Sequence, residues 1–286
     1  MDNHFVPEFY FGPWLDERRH LVRFGWRPRG LHADLKTPGQ ICYRRDLHTL
    51  NEMIDADKRD AVENWLTKEV DNKAAPVIRK ILSDGIHSIN SEEVSFVIRF
   101  VMSLIVRRPE NIDRLNQEAP MELARNMAKQ DEEIQRELRD AGVTDTITLL
   151  EYAQKNRPGW VENFGNLMIS PIVGDQRRAD WLIRRKWWTV DYEGTSVIPQ
   201  ITSDRGVTCL GVALDDPNSM VILPLSPLRV LYITSDEGKQ RLQALGKGRL
   251  GLNTIKVVAA NARTFVLGTR KTNRNLVERH LARPVT

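Results

Sequence analysis

Cysteine is scarce in this chain: Cys42 and Cys209 are the only two among 286 residues, and they lie far apart. That spacing excludes a disulfide framework and a paired-cysteine zinc knuckle, and it fits a reducing, cytoplasmic compartment. Long apolar runs are missing as well. The most apolar stretch, residues 94–106, is interrupted by Arg99 and falls well short of the roughly 20 residues that span a bilayer. The opening Met1-Asp2-Asn3-His4 has neither the basic region nor the apolar stretch of a secretory signal, so no membrane partner is expected. No Walker loop and no Gly-x-Ser-x-Gly elbow occurs. Phosphate-loop nucleotide hydrolysis and nucleophile-elbow hydrolysis are therefore set aside, and use of a dinucleotide-binding glycine loop is not expected. Internal repeats and low-complexity tracts are absent too, and residues 1–286 are expected to form a single domain.

What remains is an ordinary globular mixture, 41% hydrophobic and 28% charged, able to bury a sizeable core. Lys and Arg number 42 against 38 Asp and Glu, a net charge of +4 with a pI near 9.1. This balance permits a polyanionic partner such as nucleic acid without requiring one.

Turn residues and hydrophobic periodicity divide the chain into three regions. Residues 1–50 predict strands over 5–11, 21–26 and 41–50, separated by Gly12-Pro13, Pro28-Arg29-Gly30 and Pro38-Gly39. Residues 55–186 predict helices. Asp55 and Asp57 offer the first N-cap, and Pro76 is placed to kink or break that helix. Asn90 and Glu93 form a capping-box pair ahead of a helix that is apolar almost all round, with Pro109 at its end. The charge-dense stretch 111–140 reads as a solvated arm. Residues 187–286 return to β-branched and aromatic runs at 187–192, 197–201, 207–212, 220–223 and 230–233. A helix over 252–263, a strand over 264–267 and a terminal helix from Asn273 complete the chain. The fold class is α+β. The N-terminal strands alone make too small a sheet, so N-terminal and C-terminal strands are expected to share one, bringing His4 toward Asp204.

Three stretches resemble an uncharacterised family of bacterial and phage proteins whose members open on a His-Tyr-Val-Pro-Gln-Phe-Tyr-Leu type signature. Here they are His4-Phe5-Val6-Pro7-Glu8-Phe9-Tyr10-Phe11; Ala74-Ala75-Pro76 with the apolar helix ending in Arg107-Arg108-Pro109; and Trp188, Pro199-Gln200-Ile201-Thr202-Ser203-Asp204 and Pro224-Leu225-Ser226-Pro227. The resemblance implies no activity, since that family has none established, and it suggests a setting in phage conflict. Arg205-Gly206 stands where that family usually has Asn-Pro, and Asn3 where many members have a second His or a Gln. The backbone of the turn is expected to differ accordingly.

His4 is a candidate general base or metal ligand; the alternative is that it orders the chain start by hydrogen bonding. Ser203 and Asp204 follow a strand directly, where turns carry functional side chains on a rigid support, yet both are also common turn formers. Asp204 is a candidate ligand for a divalent metal, or an orienter of His4. Arg107 and Arg108 end the apolar helix, where they either complement its dipole or meet an anion. Arg184 and Arg185 lie in a stretch that interleaves basic residues with Trp181, Trp187 and Trp188, a pattern that suits phosphate contacts with stacking or, equally, a packed core with solvated arginines. Arg274 and His280 have a spacing seen in some helical ribonucleases. Two functions stay open: a nucleic-acid-directed, metal-dependent hydrolase using His4 and Asp204, and a noncatalytic protein- or RNA-binding module.

Overall fold

The computed structural model describes residues 1–51, 58–142, 147–192, 198–211, 216 and 218–283. The chain opens with β1 (Asp2–His4) and a 3-10 helix (Glu8–Trp14), then the hairpin strands β2 (Leu21–Arg27) and β3 (Gly30–Lys36), and β4 (Tyr43–Arg45), which pairs with β1. The helical region comprises α1 (Ala61–Trp65), a π-helical segment (Leu66–Asp71), α2 (Asn72–Asp84), α3 (Ser91–Val106) and the long α4 (Pro109–Asp140). Four short helices follow: α5 (Leu149–Asn156), α6 (Phe164–Leu167), α7 (Ile169–Val173) and α8 (Gln176–Ile183). The remainder is β5 (Lys186–Asp191), β6 (Thr202–Ser203), β7 (Thr208–Leu210), β8 (Met220–Ser226), β9 (Arg229–Thr234), α9 (Asp236–Ala244), α10 (Gly246–Asn261), β10 (Phe265–Gly268) and α11 (Arg274–His280).

The fold is α+β. N-terminal and C-terminal strands do share a sheet, because β10 pairs antiparallel with both β2 and β6 in the order β3-β2-β10-β6. A second antiparallel sheet, β5-β9-β8-β7, lies between two cores. Val221, Leu223, Leu231 and Ile233 pack on the helical side with α2 and α3, while Ile222, Val230 and Tyr232 face a smaller core closed by α10 and α11. Burial on both faces explains why these strands read as continuous apolar runs.

Tertiary packing overrides four local expectations, the first being the strand over 197–201, whose described residues 198–201 lead into β6 without pairing as strand. Residues 5–11 form no strand: Pro7 leads into the 3-10 helix, and Val6, Tyr10 and Trp14, four residues apart, are all buried. That spacing is helical, not alternating. Of 41–50 only Tyr43–Arg45 is strand. Pro76 neither breaks nor ends α2; its missing N–H would have served the carbonyl of Asn72, the first residue of α2, directly after the widened π-helical turns. Asp55 and Asp57 lie outside the described residues. Two other expectations hold. Asn90 and Glu93 cap α3 reciprocally at 2.8 and 2.9 Å, and Ile112 is the one buried residue along α4.

Candidate functional site

The residues of the three resemblance stretches meet around one side chain. The Tyr10 hydroxyl is buried, donates to the Pro224 carbonyl at 2.5 Å, and lies 3.0 Å from the Gly206 carbonyl and 3.1 Å from the Thr202 hydroxyl. Burial pushes its pKa well up, so it stays protonated. Gly206 has φ 67°, and a Cβ there would lie 3.2 Å from Leu104 and 3.3 Å from Val6. A proline at this position could not adopt that backbone, so the Arg205-Gly206 turn has its own conformation.

The expected pair, His4 and Asp204, sits on adjoining segments. Val6 approaches Gly206, and the Cys42 carbonyl accepts from the Phe5 N–H at 2.8 Å. The Cys42 thiol is pushed up by burial and by the Asp204 charge. The two side chains make no hydrogen bond to each other, and His4 Nε2 is buried without a hydrogen-bond partner among the described residues. His4 Nε2 is 3.5 Å from Glu8 Oε1, with the ring 5.8 Å from that of Tyr43. Asp204 is 5% exposed and its carboxylate accepts four hydrogen bonds, from the amides of Arg263 (2.9 Å), Thr264 (2.7 Å) and Phe265 (3.3 Å) and the Thr264 hydroxyl (2.7 Å). A carboxylate so held, with Oδ2 accepting three of the bonds and Oδ1 one, pins the start of β10 to the end of β6. The Ser203 hydroxyl, buried on β6, accepts from the Arg205 amide at 3.2 Å, an ordinary turn contact. Among the described residues no group of three or more His, Cys, Asp or Glu is placed to hold a metal ion.

The arginines divide in the same way. Arg107 is 1% exposed and makes a two-pronged pair with Asp71 at 2.9 and 2.8 Å, plus a bond to the Ser103 hydroxyl at 2.9 Å. Asp71 belongs to the π-helical segment, so this buried pair locks that segment to the end of α3. Arg108 donates to the Val207 carbonyl at 2.8 Å. Arg185 donates to the Asp216 carbonyl at 2.6 Å, and Arg184 is exposed. Of the tryptophans beside them, Trp188 is buried and stacked on Tyr232, centroids 4.7 Å apart, Trp187 packs partly buried against the helical core, and Trp181 is half-buried. Arg274 holds the Leu31 carbonyl.

Other polar groups carry no such obvious motif. His48 is fully buried, with Nδ1 2.8 Å from Glu63 Oε2 and its amide donating to Asn3 Oδ1 at 3.3 Å. Burial lowers its pKa, only partly offset by Glu63. The sign in sequence is a polar pair held between Leu47 and Leu50. On the sheet β3-β2-β10-β6, Arg23, Gly25 and Arg27 alternate with Val22, Phe24 and Trp26, the period-two signature of a strand with two unlike faces. Asp34 of β3 draws three cations to that face: Arg23 at 3.0 Å, Lys36 at 3.2 Å and Arg27 at 3.9 Å. Burial opposes its ionisation, but the hydrogen bonds from Arg23 and Lys36 prevail and hold the carboxyl below its usual range. The Phe265 ring lies under the Arg23 guanidinium at 5.6 Å, and His32 and Arg27 border the same groove of about 290 Å³.

A family model matches residues 2–272, nearly the whole chain, under the description "Protein of unknown function (DUF4238)". The chain belongs to that family. No curated protein and no solved structure matches it. DUF4238 membership thus covers both sheets and the whole helical region, and the chemistry has to be argued from the side chains. One further pattern is excluded by its context. Gly246-Lys247-Gly248-Arg249-Leu250-Gly251 has the glycine spacing of dinucleotide-binding loops, yet it follows helix α9 and opens α10, without the strand that gives such a loop its geometry. No described helix is long and apolar enough to cross a membrane.

Proposed function

We propose that this DUF4238 protein is a cytoplasmic nucleic-acid-binding module that works without hydrolysis, using the open face of the β3-β2-β10-β6 sheet. The observation that carries this reading is the charge imbalance there: three cations share the single carboxylate of Asp34 beside the Phe265 ring. One acid cannot neutralise three cations, and an open face offering positive charge with an aromatic ring suits a phosphate backbone and an unpaired base. Backbone contacts of this kind are independent of sequence, so RNA and DNA single strands both fit, and a regulatory role in phage conflict is compatible with them. The four structural hydrogen bonds on Asp204 and the internal pairing of Arg107 weigh against assigning either one a role on substrate.

The test is fluorescence anisotropy of labelled single-stranded RNA and DNA with the full chain, at low and at physiological salt. Saturable binding that weakens steeply with salt, and that Arg27→Ala and Lys36→Ala each reduce, is the expected result. Binding that ignores both substitutions overturns the site. Gel analysis of the same mixtures with Mg²⁺ or Mn²⁺ tests the rest of the reading: cleavage that disappears in His4→Ala would replace it with a hydrolase.

A further inference from the structure

A second groove, distinct from the proposed nucleic-acid face, has the composition of a small-molecule site. It encloses about 380 Å³, within the size range of such sites. Its floor is apolar and stiff, made of Trp14, Pro199, Pro227 and the half-exposed Leu228. The Gln200 amide donates to the Pro227 carbonyl at 2.8 Å and ties the two proline-bearing turns together. Proline and a buried indole cannot rearrange to fill the space, so the groove is preformed.

The rim points to an occupant with a negative charge. At the rim, Arg270 and Lys271 bring two cations. Asp16 engages Arg270 through one contact of 3.3 Å, while its other oxygen is held by the amides of Arg18 and His20 at 3.0 and 2.9 Å. Lys271 is exposed, with no acid paired to it among the described residues.

We propose that this groove binds a small organic carboxylate, its apolar body against Trp14, Pro199 and Pro227 and its carboxylate between Lys271 and Arg270. Neutral molecules of the same shape lack the charge that the rim complements, and a free phosphate lacks the body that the floor complements.

The experiment is a thermal-shift and calorimetric titration of the full chain with 4-phenylbutyrate, with 4-phenylbutanol and inorganic phosphate as matched controls. Saturable binding of the carboxylate is expected, weakened about fivefold in Lys271→Ala, which alters only an exposed side chain. Leu228→Arg, at an exposed position on the floor, is expected to abolish it. No binding of the carboxylate, equal binding of the alcohol, or binding that Lys271→Ala and Leu228→Arg both leave unchanged overturns the proposal. Anisotropy with single-stranded nucleic acid is unaffected by Leu228→Arg if the two sites are separate, so failure of one reading is distinguishable from failure of the other.

Discussion

Asp204 and Asp34 are the same residue in opposite circumstances. Asp204 is enclosed by donors that belong to the backbone it organises, four hydrogen bonds on one carboxylate. Asp34, on an open sheet face, is outnumbered by side-chain cations from β2 and β3. The arginines repeat the contrast: Arg107 is sealed into a pair with Asp71, whereas Arg27 reaches into solvent. A buried polar group held by several bonds from its own chain holds structure. A charge in local excess on an open face is available to a partner.

The sharpest way to break this contrast is to truncate the enclosed members. Asp204→Ala removes the shared acceptor of three partly buried amides and a hydroxyl, and is expected to cost about 3–5 kcal/mol in urea denaturation. Arg107→Ala leaves Asp71 as an uncompensated buried charge, with an expected loss of about 3–5 kcal/mol. In both variants nucleic-acid affinity per folded molecule should be unchanged. An Asp204→Ala protein as stable as the parent would return Asp204 to the list of groups free for chemistry.

Next in size is a pH effect. His48 has a lowered pKa in the folded state, chiefly from burial, so the unfolded chain binds the proton more readily. Stability is therefore expected to be full above the ordinary histidine range near pH 6.5 and to decline as pH falls through it toward the folded value. A melting-temperature series of the parent against His48→Gln checks the sign: the variant should show a flatter profile over that window.

The open members should move stability least. Arg27→Ala is expected to change it by under about 0.5 kcal/mol while lowering the salt slope of nucleic-acid binding by about one. Asp34→Asn should do the reverse to affinity, tightening binding by removing the carboxylate that Arg23, Arg27 and Lys36 share. If Arg27→Ala destabilised the fold as much as Arg107→Ala, the distinction between enclosed and open charge would lose its meaning.

Local sequence was a good guide wherever a structure is decided by neighbours in the chain. The Asn90 and Glu93 box, the Pro109 boundary, the solvated α4 and the strands around Val230 all rest on contacts within a few residues or on hydrophobic period. The segment of Tyr10 and Trp14 was misleading as a strand because its aromatics suit both states, and burial at every fourth position decided for a turn of helix. The candidate residues fared differently from the fold. His4, Ser203 and Asp204 were visible by type and position, but their partners are Glu8, Arg205 and the residues 263–265. The aspartate's four donors come from some 60 residues away. No spacing rule foresees that convergence.

The sequence by itself determined the class of the fold, the cap of α3 and the sharing of a sheet between the two ends, since periodicity and the need to bury apolar surface are local and additive. Only the tertiary structure decided which charges are spent on the interior and which remain for a partner. That choice depends on how many donors and acceptors of distant segments arrive at one point, and desolvation makes each arrival count.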